Sequence, residues 1–209
     1  QAGPVTHIRL NRPAKRNAVN DTLVAQLHTC FVNLPDAVRA AVLTGEGDHF
    51  CAGLDLSELS ERSVAEGVLH SRSWHAAMDA LQFGRVPVVA VLHGAVVGGG
   101  LEIASSCHIR VAERGAYYGL PEGQRGIFVG GGGSARVPRL AGVASNDRQC
   151  LGRGERCTAL PLSVLTTRAN GRRHAACVAD STRDAFGGTI ARQRTQLRPE
   201  AHAPPGGRS

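Results

Sequence analysis

The sequence predicts an α/β fold built on a mostly parallel sheet. Two short apolar runs, residues 40–44 and 86–92, have the length and composition of buried parallel strands, and each run leads into a glycine turn. Stretches with helical periodicity lie between the two runs and after them. The carboxyl ends of parallel strands share one edge of a sheet, so we expect a functional site where these glycine turns meet.

The first predicted element is a strand at residues 5–10, where polar and apolar side chains alternate. Either Asn20 or Asp21 can cap the helix that follows and continues to about residue 34. The buried face of this helix is expected to consist of Leu23, Leu27 and Phe31.

After the strand at residues 40–44, strands and helices continue to alternate. The sequence predicts helices at residues 56–60, 65–81, 99–107 and 134–140, and strands at residues 86–92, 108–112 and 116–119. Regular alternation of this kind favours crossover connections and therefore parallel pairing of the strands.

Two small-residue turns and two glutamates carry the candidate chemistry. A glycine triplet, residues 98–100, opens the predicted helix that bears Glu102, and a second turn occupies residues 50–55. Backbone N–H groups at such turns can hold an oxygen that gains negative charge, because no side chain blocks their approach and the helix dipole favours an anion. Glu122 supplies a second carboxylate that can move protons beside that oxygen.

Four ordered motifs, at residues 10–18, 43–55, 87–102 and 120–126, carry a resemblance to a known family. Over about residues 5–144, the chain resembles the crotonase (enoyl-CoA hydratase/isomerase) superfamily. The resemblance implies a crotonase-like spiral of ββα turns, truncated or disordered at the C-terminus. It also implies an acyl-CoA thioester as the substrate.

The resemblance further implies roles for individual residues. The backbone N–H groups of Leu54 and Gly99 match the family's oxyanion hole, in which loss of one donor typically lowers the rate by ~10²–10³. Glu102 and Glu122 match the acid/base glutamates of the hydratases, including their spacing of 20 residues. An exposed helix residue and a solvated loop acid remain the alternative interpretations of these two glutamates.

Contacts to CoA and substrate are implied for four further residues. Arg16 matches a position that approaches the CoA phosphates, although a solvated loop charge is an equal alternative. Ala52 and Asp55 flank the oxyanion turn and are assigned to substrate or CoA binding. His75 is assigned to the acyl pocket, with an ordinary helix histidine as its alternative.

The expected function is hydration of a 2,3-unsaturated acyl-CoA through an enolate. A CoA-thioester isomerase or hydrolase, and a non-catalytic or misfolded crotonase fragment, remain open alternatives. Dehalogenation is disfavoured because residues 127–134 offer no carboxylate nucleophile. We expect no metal ion and no cofactor beyond the CoA of the substrate, and the resemblance implies a homo-trimer or hexamer.

The compartment is expected to be the cytoplasm. The six cysteines form no CxxC pair and no disulfide framework, which favours a reducing environment. No run of 18 apolar residues predicts a membrane span, and no signal peptide is visible. The first strand begins almost at Gln1, so the N-terminus is expected to be incomplete.

The sequence changes character near residue 145, which we take as the end of the crotonase-like core (residues 1–144). Residues 145–209 hold 11 arginines, no lysine and five acidic residues, whereas residues 1–145 hold 13 basic and 12 acidic residues. We expect this arginine-rich tail not to fold natively. A tail that binds nucleic acid is a less favoured interpretation.

A frameshift close to Ala144 would explain the tail. One allowed codon choice for residues 145–149, read one base later, gives Arg-Met-Thr-Asp, which is the continuation expected of the family. A genuinely divergent tail is the alternative, and the nucleotide sequence would distinguish the two.

Overall fold

The computed structural model describes residues 4–142 and 164–165. Within them the strands are β1 (Val5–Leu10), β2 (Ala40–Gly45), β3 (Val88–Leu92), β4 (Ala95–Val97), β5 (Ile109–Ala112), β6 (Tyr117–Gly119) and β7 (Val164–Leu165), and the α-helices are α1 (Asp21–Val32), α2 (Val64–Gln82), α3 (Gly99–Ser106) and α4 (Gly133–Ala141). Short 3₁₀ helices span Pro13–Lys15, Leu56–Glu58 and Pro121–Arg125.

All described strands pair in parallel, and they form two sheets. The larger sheet has the order β1-β2-β3-β5-β7, and the smaller one consists of β4 and β6. Isolated bridges join Cys51 to Val96 of β4, and Val19 to Leu54. These bridges bring the loop after β2 against the start of α3, so both predicted glycine turns lie at one edge of the fold.

The helices are fixed by the capping and apolar patterns of the sequence. Asn20 caps α1 by accepting a hydrogen bond from the backbone N–H of Leu23. Ser63 and Glu66 form a reciprocal capping box at the start of α2. The predicted apolar face of α1 is buried in the core, which also holds α3 and the central strands.

The predicted α/β class is confirmed, and the predicted elements lie within about two residues of the observed ones. Strand β4 was not predicted. Its three residues stand between Gly94 and Gly98, where glycine punctuation indicates a turn, and their strand conformation depends on pairing with the distant β6.

One short strand lies within the arginine-rich tail. Val164 and Leu165 form β7 and pair with Arg110 and Val111 of β5. The other residues of the predicted tail after 144 lie outside the described residues. The division into a folded core and a non-native tail therefore stays a prediction.

A membrane-spanning helix is not found in the described part of the chain, where no helix is both long and apolar enough.

Asn17 joins the loop after β1 to the loop after β2. The side chain is fully buried, and its backbone has a left-handed φ of 55°. Its Nδ2 donates to the carbonyl oxygens of Glu46 (2.8 Å) and His49 (2.7 Å), while its Oδ1 accepts from the backbone N–H of Arg12. Asparagine suits this position because it tolerates left-handed backbone and can satisfy three backbone groups at once.

We predict that Asn17→Ala lowers the free energy of unfolding by about 2–3 kcal/mol. The substitution leaves the three backbone partners without their hydrogen bonds and places alanine in left-handed backbone. Urea unfolding followed by circular dichroism measures the change. Asn33→Ala is the matched control, because the Asn33 side chain is exposed and donates to the carbonyl of Thr29 in the adjoining helix α1. Equal losses from the two variants would contradict the role given to Asn17.

Candidate active site

In the turn at residues 51–55, the backbone N–H of Leu54 points away from Val19, the residue that bridges to Leu54. In the bridge to this turn, Val19 uses both of its own backbone groups: its N–H donates to Gly53 O (2.7 Å), and its carbonyl accepts from Asp55 N (2.8 Å). In a parallel bridge the N–H of the opposing residue points to the other side. No acceptor for the Leu54 N–H is found among the described residues.

The second turn opens α3. Gly98 is the N-cap residue with φ 53°, and its carbonyl accepts from the N–H groups of Leu101 and Glu102. Gly99 is the first residue of the helix, so its N–H has no acceptor within the helix, and none is found elsewhere in the described residues. The helix dipole adds partial positive charge at this position.

The two turns touch each other, backbone against backbone. Gly53 has φ 101°, and a Cβ placed on it would lie 3.1 Å from Val97 O and 3.7 Å from the Cα of Gly98. Only glycine allows this separation with this backbone. The structure therefore brings Leu54 and Gly99 to adjoining turns, each with an N–H that has no described acceptor.

Glu102 lies inside the protein, with 3% of its surface exposed. Its Oε1 accepts from the backbone N–H groups of Gly131 (2.8 Å) and Gly133 (2.9 Å). No hydrogen-bond partner for Oε2 is found among the described residues. Burial raises the pKa of Glu102, and the two N–H donors and the charges of His75 and Arg136 act in the opposite direction.

Glu122 lies in the 3₁₀ helix Pro121–Arg125, which begins at the proline. Proline at the first helical position is compatible with a helix start, so it favours this turn as much as an extended one. A Cβ on Gly98 would lie only 2.8 Å from Glu122 Oε1, which places the carboxylate directly against the second turn. Its Oε2 is buried without a partner among the described residues.

The environment of Glu122 favours the protonated carboxyl. Burial raises its pKa to about 7, and the charge of Glu102 adds to the increase. Glu102, by contrast, receives two backbone N–H donors and faces two basic side chains. Burial therefore raises the pKa of both carboxyls, and the two loop N–H donors and the basic side chains oppose the increase at Glu102, so the two environments differ as those of a base and an acid do.

Three of the residues assigned to CoA or substrate lie together. The N–H of Ala52 donates to the carbonyl of Arg16 (3.0 Å), and the Arg16 side chain is exposed. The Asp55 carboxylate is buried. It caps the 3₁₀ helix Leu56–Glu58 by accepting from the backbone N–H of Ser57, and it forms an ion pair with Arg12 (2.8 Å). The Ser57 hydroxyl and the Arg12 guanidinium lower the pKa of Asp55 to about 2.

His75 lies on α2 beside the glycine loop. A Cβ on Gly132 would lie 3.2 Å from its Cε1, and its charge acts on Glu102. The neighbouring Trp74 packs its six-membered ring on Gly99, 3.0 Å from the position of a Cβ there. His75 is therefore associated with the acid/base pair.

A small pocket adjoins the first turn. Its lining residues are Asn20, Asp21, Leu54, Asp55, Leu59, Arg62 and His70. Asp21 lies at its polar side and contacts both His70 Nε2 (2.7 Å) and Arg62 Nη2 (3.2 Å). Neither glutamate of the pair lines this pocket, so it lies on the Leu54 side of the site.

Cys51 has no nucleophilic role in this geometry. It is fully buried, and burial raises the pKa of its thiol to about 12. Its Cβ and Sγ pack against Gly100, where they help to set the start of α3. Within the described residues, no cluster of His, Cys, Asp and Glu has the arrangement of a metal site.

The loop that holds Glu102 was not predicted from the sequence. The glycine run before α4 predicted only the lack of a carboxylate nucleophile, and Arg136 was not among the candidate residues. The four consecutive glycines at residues 130–133 could have indicated this loop, because such a run allows the backbone to approach another group closely.

The model of the family described as enoyl-CoA hydratase/isomerase matches residues 1–159. The chain belongs to the enoyl-CoA hydratase/isomerase family. The match continues beyond residue 144, where the sequence analysis placed the end of the resemblance.

Relatives and solved structures agree with this family. The chain is 38% identical over 149 residues to the bovine (Bos taurus) mitochondrial enoyl-CoA hydratase domain-containing protein 2, covering 68% of this chain and 50% of that protein. A crystal structure from Rhodopseudomonas palustris, provisionally named an enoyl-CoA hydratase, is 60% identical with a TM-score of 0.72, covering 74% of this chain and 60% of the other.

A third similarity concerns a structure with a bound ligand. A provisionally named enoyl-CoA hydratase from Thermobifida fusca, solved in complex with CoA, is 29% identical with a TM-score of 0.66, covering 72% of this chain and 62% of the other. The chain spans about half the length of the curated relatives it matches.

We predict that Glu122 makes folding stability fall as pH rises. Its pKa is about 7 in the folded protein and near the ordinary value of 4.5 in the unfolded chain. Between these values the folded protein holds a proton that the unfolded chain releases, so the free energy of unfolding decreases from about pH 4.5 to 7. Glu122→Gln removes this contribution and is expected to gain about 1–3 kcal/mol relative to wild type across that window.

Chemical denaturation at a series of pH values measures this difference. Glu61→Gln is the control, since Glu61 is exposed, and its curve should parallel that of wild type. A constant offset between Glu122→Gln and wild type at all pH values would show that Glu122 does not titrate in this range.

Proposed function

We propose that this protein adds water across the 2,3 double bond of an acyl-CoA thioester. The observation that supports the proposal best is the buried pair Glu102 and Glu122, placed in unlike environments next to two turns whose N–H groups have no acceptor among the described residues. Family membership supports CoA-thioester chemistry, and the paired glutamates favour hydration within that family.

Glu102 acts as the base in this proposal. Its Oε1 is held by two N–H donors, which leaves Oε2 to take a proton from water. The oxygen of that water bonds to C3 of the substrate, the double bond opens, and its electrons pass to the thioester as an enolate. The base is positioned before substrate arrives because the backbone loop fixes its orientation.

Glu122 acts as the acid. With a pKa of about 7, about half of the molecules carry a proton on Glu122 at neutral pH, and the protonated form gives this proton to C2 of the enolate. Water is thus consumed as one proton and one hydroxide, and the two carboxyls exchange their protonation states. Transfer of a proton from Glu102 back to Glu122 restores the starting state.

The N–H groups of Leu54 and Gly99 stabilise the enolate oxygen. The thioester oxygen accepts both hydrogen bonds, and these strengthen as negative charge develops. Their fixed placement, at contacting turns and at the N-terminus of α3, means that little reorganisation accompanies the reaction.

CoA is proposed to approach along the side of Arg16 and Ala52, and the solved relative with bound CoA supports a CoA site in this fold. The pocket beside Leu54 is proposed to take part of the bound thioester.

We propose that no metal ion or redox group participates, that the active form is a homo-trimer or hexamer, and that it works in the cytoplasm. Size-exclusion chromatography with light scattering tests the oligomeric state.

We predict that Glu102→Gln and Glu122→Gln each lower kcat for hydration of crotonyl-CoA by about 10²–10⁴, because each removes one proton-transfer group. The double variant should be little worse than either single variant, since the two groups act as a unit. Loss of the enoyl-thioester absorbance, together with chromatography of the 3-hydroxyacyl product, measures the reaction.

Glu61→Gln serves as the control and should keep wild-type kcat. A purified, folded chain that converts no enoyl-CoA would contradict the hydratase proposal. Release of free CoA thiol without a 3-hydroxyacyl product would instead favour the hydrolase alternative, and a shifted double bond would favour the isomerase.

A further inference from the structure

We propose that Arg136 is a positioning residue for the acid/base pair, holding Glu102 in its working orientation through the loop of Gly131, Gly132 and Gly133. This inference rests on the proposed function for its kinetic consequence, whereas its structural part concerns Glu102 alone.

Arg136 is a buried cation whose guanidinium reaches three acceptors. It lies on α4 with 8% of its surface exposed. Its Nε donates to Gln82 Oε1 (2.6 Å) and its Nη2 to Asp79 Oδ1 (2.6 Å), both on α2. Its Nη1 donates to the carbonyl of Gly131 (2.9 Å). The planar fork of the guanidinium therefore ties the loop to two helices at once.

Gly131 transmits this contact to Glu102. Its carbonyl accepts from Arg136 while its N–H donates to Glu102 Oε1, so one residue bonds the cation on one side and the acid on the other. The guanidinium also lies directly on Gly132, since a Cβ there would be 2.2 Å from Nη1. Gly132 has φ 91°, so a side chain would be strained as well as blocked.

The loop needs an external anchor because of its composition. Residues 130–133 are all glycine, the residue that loses the most conformational freedom on folding. Ordering this segment therefore costs more than ordering an ordinary loop. Hydrogen bonds to Arg136 and Glu102 offset that cost, and without the guanidinium the two N–H donors would no longer be fixed on the carboxylate.

The charge of Arg136 acts on Glu102 in the same direction as the hydrogen bonds. The charged groups that face Glu102 are His75 from α2, Arg136 from α4 and Glu122 from the 3₁₀ helix. The two basic side chains favour the ionised form of Glu102, and Glu122 disfavours it when ionised. Removing Arg136 should therefore raise the pKa of Glu102.

The test compares Arg136→Met with Arg136→Lys and with Arg139→Met. Arg139 is exposed on the same helix, which makes it a matched control for loss of an arginine. The readouts are the pH profile of kcat/KM for hydration of crotonyl-CoA, kcat and KM separately, and the melting temperature. A role limited to joining α2 and α4 would change the melting temperature but would not move the pH profile.

For Arg136→Met we expect the acid limb of the profile to move up by about one pH unit, with kcat lowered about tenfold or more and KM changed less. Arg136→Lys keeps the charge but cannot satisfy all three acceptors, so kcat should fall and the acid limb should move up less than in Arg136→Met. Arg139→Met should match wild type. An unchanged acid limb in Arg136→Met, or wild-type kcat in Arg136→Lys, would overturn the proposal.

A second measurement separates this inference from the proposed function. Titration of ¹³C-labelled glutamate carboxyls by NMR, with Glu102→Gln identifying the Glu102 signal, follows Glu102 without any substrate. If wild type hydrates nothing but the Glu102 titration moves up in Arg136→Met, the hydratase proposal fails and the positioning role stands. If the titration does not move, the positioning role fails whatever the activity. Should Arg136→Met not fold, Arg136→Lys is titrated instead, and release of the loop should change the Glu102 carboxyl shift.

Discussion

The contact between two backbone turns, at Gly53 and Gly98, is the constraint on which the site depends. Both residues lack a side chain, which lets the loop after β2 pack directly on the start of α3. A Cβ placed on Gly53 would lie only 3.7 Å from the Cα of Gly98. That closeness places the N–H groups of Leu54 and Gly99 on adjoining turns. The bridges at Val19 and Cys51, the buried Asn17 and the Arg12–Asp55 pair all stabilise the first of these turns.

Burial of two carboxylates beside these turns is unfavourable for folding, and the protein treats the two differently. Glu102 recovers part of the cost through two backbone hydrogen bonds and nearby cations. Glu122 keeps one buried oxygen without a described partner and tends to stay protonated. Unequal compensation of this kind separates the pKa values of two chemically identical groups.

Sequence patterns predicted the parts of this protein that depend on local chemistry. Asn20 as a helix cap, the apolar face of α1 and the glycine triplet before Glu102 each have a short-range cause, and each was predicted within about two residues. Strand β4, the 3₁₀ conformation of Glu122 and the loop around Glu102 were not predicted. Strand β4 and the loop around Glu102 depend on partners 20 or more residues away, such as β6 for β4, and a periodicity argument contains no information about those partners.

In the proposed reaction, the supports of the two glutamates set the direction of proton transfer before substrate binds. Glu102 lies on a regular helix, and two N–H groups of the glycine loop donate to its Oε1, which leaves Oε2 to accept a proton from water. Glu122 projects from a short 3₁₀ helix against Gly98, at the turn that would receive the enolate oxygen. A carboxylate held by N–H donors is stabilised as an anion, and a carboxyl that keeps one buried oxygen without a described donor is stabilised as an acid. Exchanging these environments would exchange the roles, so the loop that holds Glu102 matters as much to the proposed reaction as the glutamate itself.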